Sequence, residues 1–276
     1  MYNIKLAIRN LKKHKGYTII NIAGLSVGVA FSLLIMLFVF DELSYDKYHE
    51  KADRTYRVAV DAVWGNTLLK QTYTTARLAP TLAKDFPEVE AAVRIGNHRK
   101  QMVKYNENWF EGFQTMAVDS SIFNVFTIPI VNGSIDKALK EPKTVVITES
   151  TAKKIFGAEN PVNKTIEIYN EKFTVSAVVK DCPHNTHFKF DILSNLEWFG
   201  YSREQNWMNN NFQTYFTIKE NTTTDYIESQ FQPLLLKNLN WFEGFLKEGN
   251  KWDYYLQSVT DIHLTSHLTG EFEANS

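Results

Sequence analysis

The stretch YTIINIAGLSVGVAFSLLIMLFVF, residues 17–40, contains no charged side chain. A helix needs about 20 apolar residues to cross a bilayer core, so this stretch is long enough to span one. The alternative is a cleaved signal peptide, whose apolar region is usually about 7–15 residues long and ends in small residues. Here the apolar run is longer and ends directly before Asp41 and Glu42. The sequence therefore predicts an uncleaved transmembrane helix at residues 17–40.

The two sides of this helix differ in charge. Residues 1–16 contain five basic side chains and no acidic one, whereas all 31 acidic side chains follow Phe40. Such asymmetry is typical of proteins that bind membranes or nucleic acids, and the apolar stretch favours the membrane, with no nucleic acid as a partner. Because basic flanks stay in the cytoplasm, we expect a cytoplasmic N-terminus and an external Asp41.

Residues 1–16 also place apolar side chains among the basic ones at roughly helical spacing. This pattern favours an amphipathic helix at the cytoplasmic membrane surface, and a basic flank without regular structure is the alternative. The side chains predicted to contact the membrane surface are Lys5, Arg9, Lys12, Lys13 and Lys15.

Small residues recur within the apolar stretch at Gly24, Gly28 and Ser32. A spacing of four places them on one helix face, where they would let another helix approach closely. Asn21 adds a polar side chain that is costly to expose to lipid. The alternative is that glycine is frequent in membrane helices in general. Our hypothesis is a packing face for transmembrane partners.

The remaining residues, 41–276, are predicted to form an α+β domain with two lobes. The chain is 44% hydrophobic and 14% aromatic, which is enough for a real core, and its only cysteine, Cys182, excludes an internal disulfide. Two β-α-β units are indicated, at residues 54–60, 78–86 and 89–95 and at residues 212–218, 224–239 and 252–259. They predict a split lobe, about 50–99 and 190–276, completed by pairing between the two halves.

The residues between these units, about 100–189, are predicted to form an inserted β-rich lobe. Short polar turns separate strand-like segments, which indicates hairpins. The segments are two hairpins, 101–105 with 109–118 and 164–169 with 172–179, a strand at 143–148 and a helix at 149–156 that ends at Gly157.

Candidate catalytic and metal-binding residues are few. His184 and His187 lie three apart in a predicted turn, and His263 and His267 lie four apart at a predicted strand end without the glutamate of a zinc motif. No phosphate-binding loop or nucleophile elbow is present, and Cys182 is a lone thiol. We expect no enzyme activity, no cofactor and no metal.

Several segments, in order along nearly the whole chain, resemble the N-terminal half of a MacB/FtsX-type ABC transporter permease of the kind found in Bacteroidetes-like bacteria. Each segment is weakly specific alone, and the ordered series is specific. The segments are 7–11, 21–28, 41–58, 78–82, 86–90, 118–126, 141–150, 152–157, 160–161 and 173–181, with His187 and residues 190–191.

The resemblance implies a periplasmic core domain with one split and one inserted lobe, in the bacterial inner membrane. It also implies a separate cytoplasmic ATPase that drives transmembrane helices, which transmit movement to the periplasm during export or extraction of lipids, lipoproteins, peptides or drugs. Further partners would be other permease helices or a second permease copy, and a periplasmic adaptor with an outer-membrane channel. Binding would fall to the lobes.

Permeases of this family continue into three more membrane helices, whereas this sequence ends at Ser276 without a second apolar run. We therefore expect a fragment of a longer permease. The alternative is a single-span, membrane-anchored periplasmic sensor or binding module, although only about 16 residues would lie inside for an output. A membrane-anchored envelope enzyme is a third reading that no motif supports.

Overall fold

The computed structural model describes residue 9 and residues 11–272. The chain divides into two compact units, one that ends at Ser44 and one that begins at Tyr45. The first unit contains the predicted membrane helix, and the second contains the α+β domain.

The first unit is dominated by one long helix, α1, at Lys15–Glu42. Its 28 residues have no buried member, and its most apolar part reaches a mean hydropathy of 2.5. At 1.5 Å per residue the helix is about 42 Å long, which exceeds a bilayer core. The prediction for residues 17–40 is confirmed as a candidate membrane span.

The predicted surface helix at residues 1–16 falls largely outside the described residues, Lys5 included. Residues 11–13 are helical, but the helix is interrupted at His14, whose φ and ψ of −116° and 57° are not helical. The surface helix remains a prediction.

The second unit is built on a single sheet of twelve strands within the described residues. The main path runs β12-β1-β11-β4-β5-β10-β7-β9-β6, while β2, β3 and β8 pair beside it. The strands are β1 Thr55–Trp64, β2 Thr67–Gln71, β3 Tyr73–Thr75, β4 Val89–Tyr105, β5 Asn108–Val118, β6 Ile130–Gly133, β7 Thr144–Thr148, β8 Thr165–Ile168, β9 Glu171–Val179, β10 Ile192–Asn195, β11 Asn210–Ile218 and β12 Lys251–Ser258.

Six helices accompany the sheet in this part of the chain. They are α2 Leu78–Asp85, α3 Ile122–Val125, α4 Glu149–Phe156, α5 Asp225–Asn238, α6 Phe242–Lys247 and α7 Ile262–Thr265.

The two predicted β-α-β units interlock as a split sandwich. β11 lies between β1 and β4 and is antiparallel to both, while β1 lies between β11 and β12 in the same way. Each unit therefore receives its middle strand from the other half of the chain. The α+β fold class with one N-terminal apolar helix is confirmed.

Helices α2 and α5 cover one face of this sandwich because each presents an apolar stripe. Ile227, Phe231 and Leu235 recur every four residues on α5 and are buried. They pack against Val58, Val60 and Phe216, which share one face of β1 and β11. The opposite face of these strands is left for a second core, in which Tyr215 lies.

The other end of the sheet contains a local unit that follows its sequence signals closely. The side chain of Thr148 accepts a hydrogen bond from the Thr151 amide and so caps α4. Gly157 ends the helix with a φ of +63°, which glycine adopts without steric cost. β7 and β9, on either side of α4 in sequence, pair in parallel.

Two sequence expectations are wrong. Residues 89–95 and 101–105 are parts of one strand, β4, because exposed polar residues such as Arg99 and Lys100 break the apolar pattern without breaking the pairing with β5. The segment around His263 is the short helix α7 rather than a strand end, because β12 stops at Ser258. The lobe boundaries, about 50–99 with 190–276 and about 100–189, remain predictions.

Candidate functional site: a buried ionic network

The residues predicted to pack the membrane helix lie on one side of α1 and are exposed. A Cβ atom added at Gly24 or Gly28 would meet no atom within 4 Å, and the Ser32 hydroxyl donates to the Gly28 carbonyl at 2.9 Å. Asn21 is exposed on the same helix. The packing face remains a prediction.

The basic residues before α1 are likewise exposed where they are described: Arg9, Lys12, Lys13 and Lys15. Their contact with a membrane surface remains a prediction.

A buried ionic group occurs where the chain enters the folded domain. Asp46 has no exposed surface, although it follows α1 by only four residues. Its carboxylate accepts hydrogen bonds from the Thr186 hydroxyl at 3.0 Å and from the His187 amide at 3.2 Å, and its own amide donates to the Asn185 carbonyl at 2.9 Å. The Nδ1 atom of His187 lies 2.9 Å from Asp46 Oδ1. One loop, residues 185–187, thus holds this aspartate.

These contacts keep Asp46 ionised. Burial raises the pKa of a carboxyl group, but the charge of His187 and the hydrogen bonds from His187 and Thr186 outweigh burial, so the Asp46 pKa is lowered. A buried carboxylate without partners would be very unfavourable. The leading segment, residues 45–54, is therefore bound to the loop by charge as well as by packing.

His49 packs beside the same carboxylate as a neutral ring. Burial lowers its pKa to about 4. Its Nδ1 accepts a hydrogen bond from the Thr127 amide at 3.1 Å, so the proton of the neutral ring is on Nε2, which lies 3.8 Å from Asp46 Oδ1. The ring also contacts Phe126 at a centroid distance of 4.9 Å.

A second buried charge connects the start of the domain sequence to its end. Arg57 is fully buried and binds both carboxylate oxygens of Glu271, at 2.7 and 3.0 Å. It also donates to Gln257 at 2.6 Å and to Ser266 at 2.8 Å. Partial burial raises the pKa of Glu271, but the hydrogen bond and the charge of Arg57 lower it by more. The pKa of Glu271 is therefore lowered overall. The trailing segment, residues 266–272, is thereby fastened to β1.

Tyr215 joins the two groups. Its hydroxyl donates to Gln213 Oε1 at 2.8 Å and lies 3.0 Å from His187 Nε2, which therefore donates to it. Gln213 donates in turn to the Gly270 carbonyl at 2.6 Å. We call the connected set Asp46, His187, Tyr215, Gln213, Arg57 and Glu271 the ionic network.

The sheet register explains why these side chains meet. Arg57 lies directly opposite Tyr215 on one side and Gln257 on the other, so the three form a row across β11, β1 and β12. Side chains two apart on a strand share a face, which adds Gln213 to the row. Burial raises the pKa of Tyr215, which is therefore a neutral hydroxyl within the network.

The network has no free atom at which His187 could bind a metal, because Asp46 and Tyr215 face its two ring nitrogens. Within the described residues, no three histidine, cysteine or acidic side chains are grouped to hold an ion. His263 stacks on Tyr45 at a centroid distance of 3.4 Å. Burial raises the pKa of Cys182 to about 11, which disfavours a reactive thiolate.

Sequence reasoning missed the network. Asp46 and His187 are 141 residues apart, and Arg57 and Glu271 are 214 apart, so no local pattern pairs them. The only available signal was that residues 41–58 and His187 belong to the segments that resemble ABC permeases.

In this chain a long apolar helix is followed by a split α+β sandwich. The sequence model of the MacB-like periplasmic core domain matches residues 18–234. The chain belongs to this family.

Solved structures show the same fold at low sequence identity. A domain assigned to a permease from Porphyromonas gingivalis superposes with a TM-score of 0.69 and 20% identity, covering 83% of this chain and 95% of that one. The periplasmic region of MacB from Actinobacillus actinomycetemcomitans gives 0.52 and 17%, covering 78% and 95%. The extracellular domain of the ABC-type transporter YknZ from Gram-positive bacteria gives 0.50 and 13%, covering 73% and 99%. No curated protein matches the chain.

Proposed function

We propose that the chain is the N-terminal part of a permease subunit of an ABC transporter. A separate cytoplasmic ATPase hydrolyses ATP, and this chain passes the resulting movement from its membrane helix to the folded domain. The transported molecules belong to the lipids, lipoproteins, peptides or drugs that are exported or extracted. The proposal assigns no catalytic residue and no enzymatic activity to the chain itself.

The observation that carries the proposal is the order of parts. A 28-residue apolar helix leads, after a few residues, into a domain of the MacB-like periplasmic family. The five basic residues before the helix favour a cytoplasmic N-terminus, and hence an inner-membrane protein with a periplasmic domain. Its partners in this proposal are the ATPase, further permease helices or a second permease copy, and a periplasmic adaptor with an outer-membrane channel.

The orientation is tested by cysteine labelling in a Cys182→Ser background. Glu107→Cys places a thiol in the exposed turn between β4 and β5, and Lys13→Cys places one before the helix. We expect a membrane-impermeant maleimide to label Glu107→Cys in intact spheroplasts and Lys13→Cys only after permeabilisation. The reverse pattern would overturn the orientation.

The transporter role is tested by co-expressing the complete gene, with a tag on the permease, together with the ABC ATPase encoded beside it. We expect the ATPase to co-purify in a fixed ratio and its hydrolysis rate to depend on the permease. A complete gene that ends after Ser276, with no ATPase that binds its product, would contradict the proposal and favour the single-span sensor.

A further inference from the structure

We propose that Asp46, His187 and Tyr215 are positioning residues of a junction that makes the leading and trailing segments of the domain move together. The inference rests on the proposed function, because it names the part of the domain that receives movement from the membrane helix. It concerns residues 45–54 and 266–272, which are far apart in sequence and joined by the ionic network.

The first step is the short connection to α1. Asp46 follows Glu42, the last residue of the helix, by four positions. Four residues of chain span at most about 14 Å even when fully extended. A movement that carries the helix end farther than this from Asp46 must therefore pull on Asp46, which is the first buried charged residue of the domain.

The second step is the cost of releasing that anchor. Asp46 is fully buried, and its carboxylate is compensated by Thr186 and His187. Pulling it away would leave a buried carboxylate without partners and would remove one of the two partners of the His187 ring, which is strongly unfavourable. The leading segment and the 185–187 loop therefore move as one body unless the pair breaks completely.

A chain of hydrogen bonds joins His187 to the trailing segment. His187 binds Tyr215, and Tyr215 binds Gln213, whose amide holds the Gly270 carbonyl. Arg57 independently holds Glu271 in the same segment. The trailing segment is thus bound from two strands, β11 and β1, that belong to different halves of the domain sequence.

Aromatic packing shields the part of the junction around His187 and Tyr215 from water, whereas the Glu271 side chain is 25% exposed. Phe126 meets the Tyr215 ring at a centroid distance of 5.3 Å, and Phe188 lies 6.0 Å from Phe272 of the trailing segment. Phe272 also lies 6.3 Å from the His187 ring. Electrostatic contacts shielded from water in this way are stronger than surface pairs, so the junction has two discrete states, intact and broken, rather than a soft range.

The test measures the distance between the two segments in the complete, ATPase-bound transporter. Spin labels at Lys47→Cys and His267→Cys, both exposed, report it in a Cys182→Ser background, without nucleotide and with ATP trapped by vanadate. We expect one narrow distance distribution that is the same in both states, because the segments move together. Tyr215→Phe keeps the ring and removes only the connecting hydroxyl, and it should lose the single narrow distance.

Asp119→Asn is the matched control, because Asp119 pairs with Arg94 inside the same domain without touching either segment. It should keep the narrow distance. Glu271→Gln is a second variant in case Tyr215→Phe folds poorly, and it should also broaden the distribution. An unchanged narrow distance in both network variants, or a nucleotide-dependent distance in the unmodified chain, would overturn the junction. Loss of ATPase binding would instead overturn the proposed function, and the distances without nucleotide would still test the junction.

Discussion

The domain contains two largely buried ionic groups, which differ in how far apart their members lie in the sequence. Arg94 and Asp119, 25 positions apart, form a local ion pair, called here the local group. The carboxylate accepts hydrogen bonds from Nε and Nη2 of the guanidinium, and Nη1 donates to the carbonyls of Ala76 and Ser202. The ionic network, in contrast, connects residues up to 214 positions apart. The local group stabilises one corner of the sheet, whereas the network fixes where the chain enters and leaves it.

The difference in burial predicts a difference in stability. Asp46→Asn removes the charge but keeps an amide that tolerates the positive φ of 58° at this position. It removes the charged partner of His187, and removing one member of a buried pair costs about 3–5 kcal/mol of unfolding free energy. Thermal or denaturant unfolding of the full chain in detergent, followed by tryptophan fluorescence, measures the loss.

Asp119→Asn is the comparison for this experiment. Asp119 is 19% exposed and Arg94 10%, so water compensates part of the loss. We expect a smaller cost, about 1–3 kcal/mol. An equal or larger cost for Asp119→Asn would contradict the distinction between the two groups.

His49, which packs beside the Asp46 carboxylate, makes the domain sensitive to acid from near neutral pH. The pKa of His49 is about 4 in the folded state, against about 6.5 unfolded, so below pH 6.5 the unfolded chain binds the extra proton. Stability is complete above pH 6.5 and falls by about 3 kcal/mol as pH drops towards 4. Unfolding measured from pH 8 to 4 should show this slope, and His49→Gln should flatten it.

Below pH 4 the stability of the domain depends on protonation of the carboxylates. The pKa values of Asp46 and Glu271 are lowered in the folded domain, so their contribution is complete above the unfolded values and is lost as pH falls through the folded ones. The loss of stability between pH 6.5 and 4 is assigned to His49. An identical pH profile for the unmodified protein and His49→Gln in this range would contradict that assignment.

The membrane helix provides a third region for comparison, because α1 has no buried residue and lies outside both ionic groups. Replacing Gly24 and Gly28 with leucine should weaken assembly of the complete permease in detergent, since leucine would fill the predicted packing face. Unfolding of the domain should not change. Unaltered assembly on gel filtration, with normal membrane insertion, would remove the packing hypothesis.

The sequence predicted what depends on neighbouring residues. The apolar run of α1, the capped helix α4 with Gly157, and both β-α-β units carry their signals within a few positions. The sequence-based prediction was wrong where residues distant in sequence determine the structure. The polar middle of β4 stays in the strand because β5 pairs with it, and helix α7 forms where a strand end was expected. The sequence predicted none of the contacts of His187, which was considered as a metal ligand and as part of the permease resemblance, because its partners come from the loop after α1 and from β11.

The continuity of the ionic network is the central claim, and a double-mutant cycle between Asp46→Asn and Glu271→Gln tests it most directly. These residues do not touch, yet the network connects them: His187 binds Tyr215, Tyr215 binds Gln213, and Gln213 holds the carbonyl of Gly270, the residue before Glu271. We predict that the two unfolding costs are non-additive, with a coupling of more than about 0.5 kcal/mol. The cycle between Asp46→Asn and Asp119→Asn should show none. Additive costs for Asp46→Asn and Glu271→Gln would contradict the account.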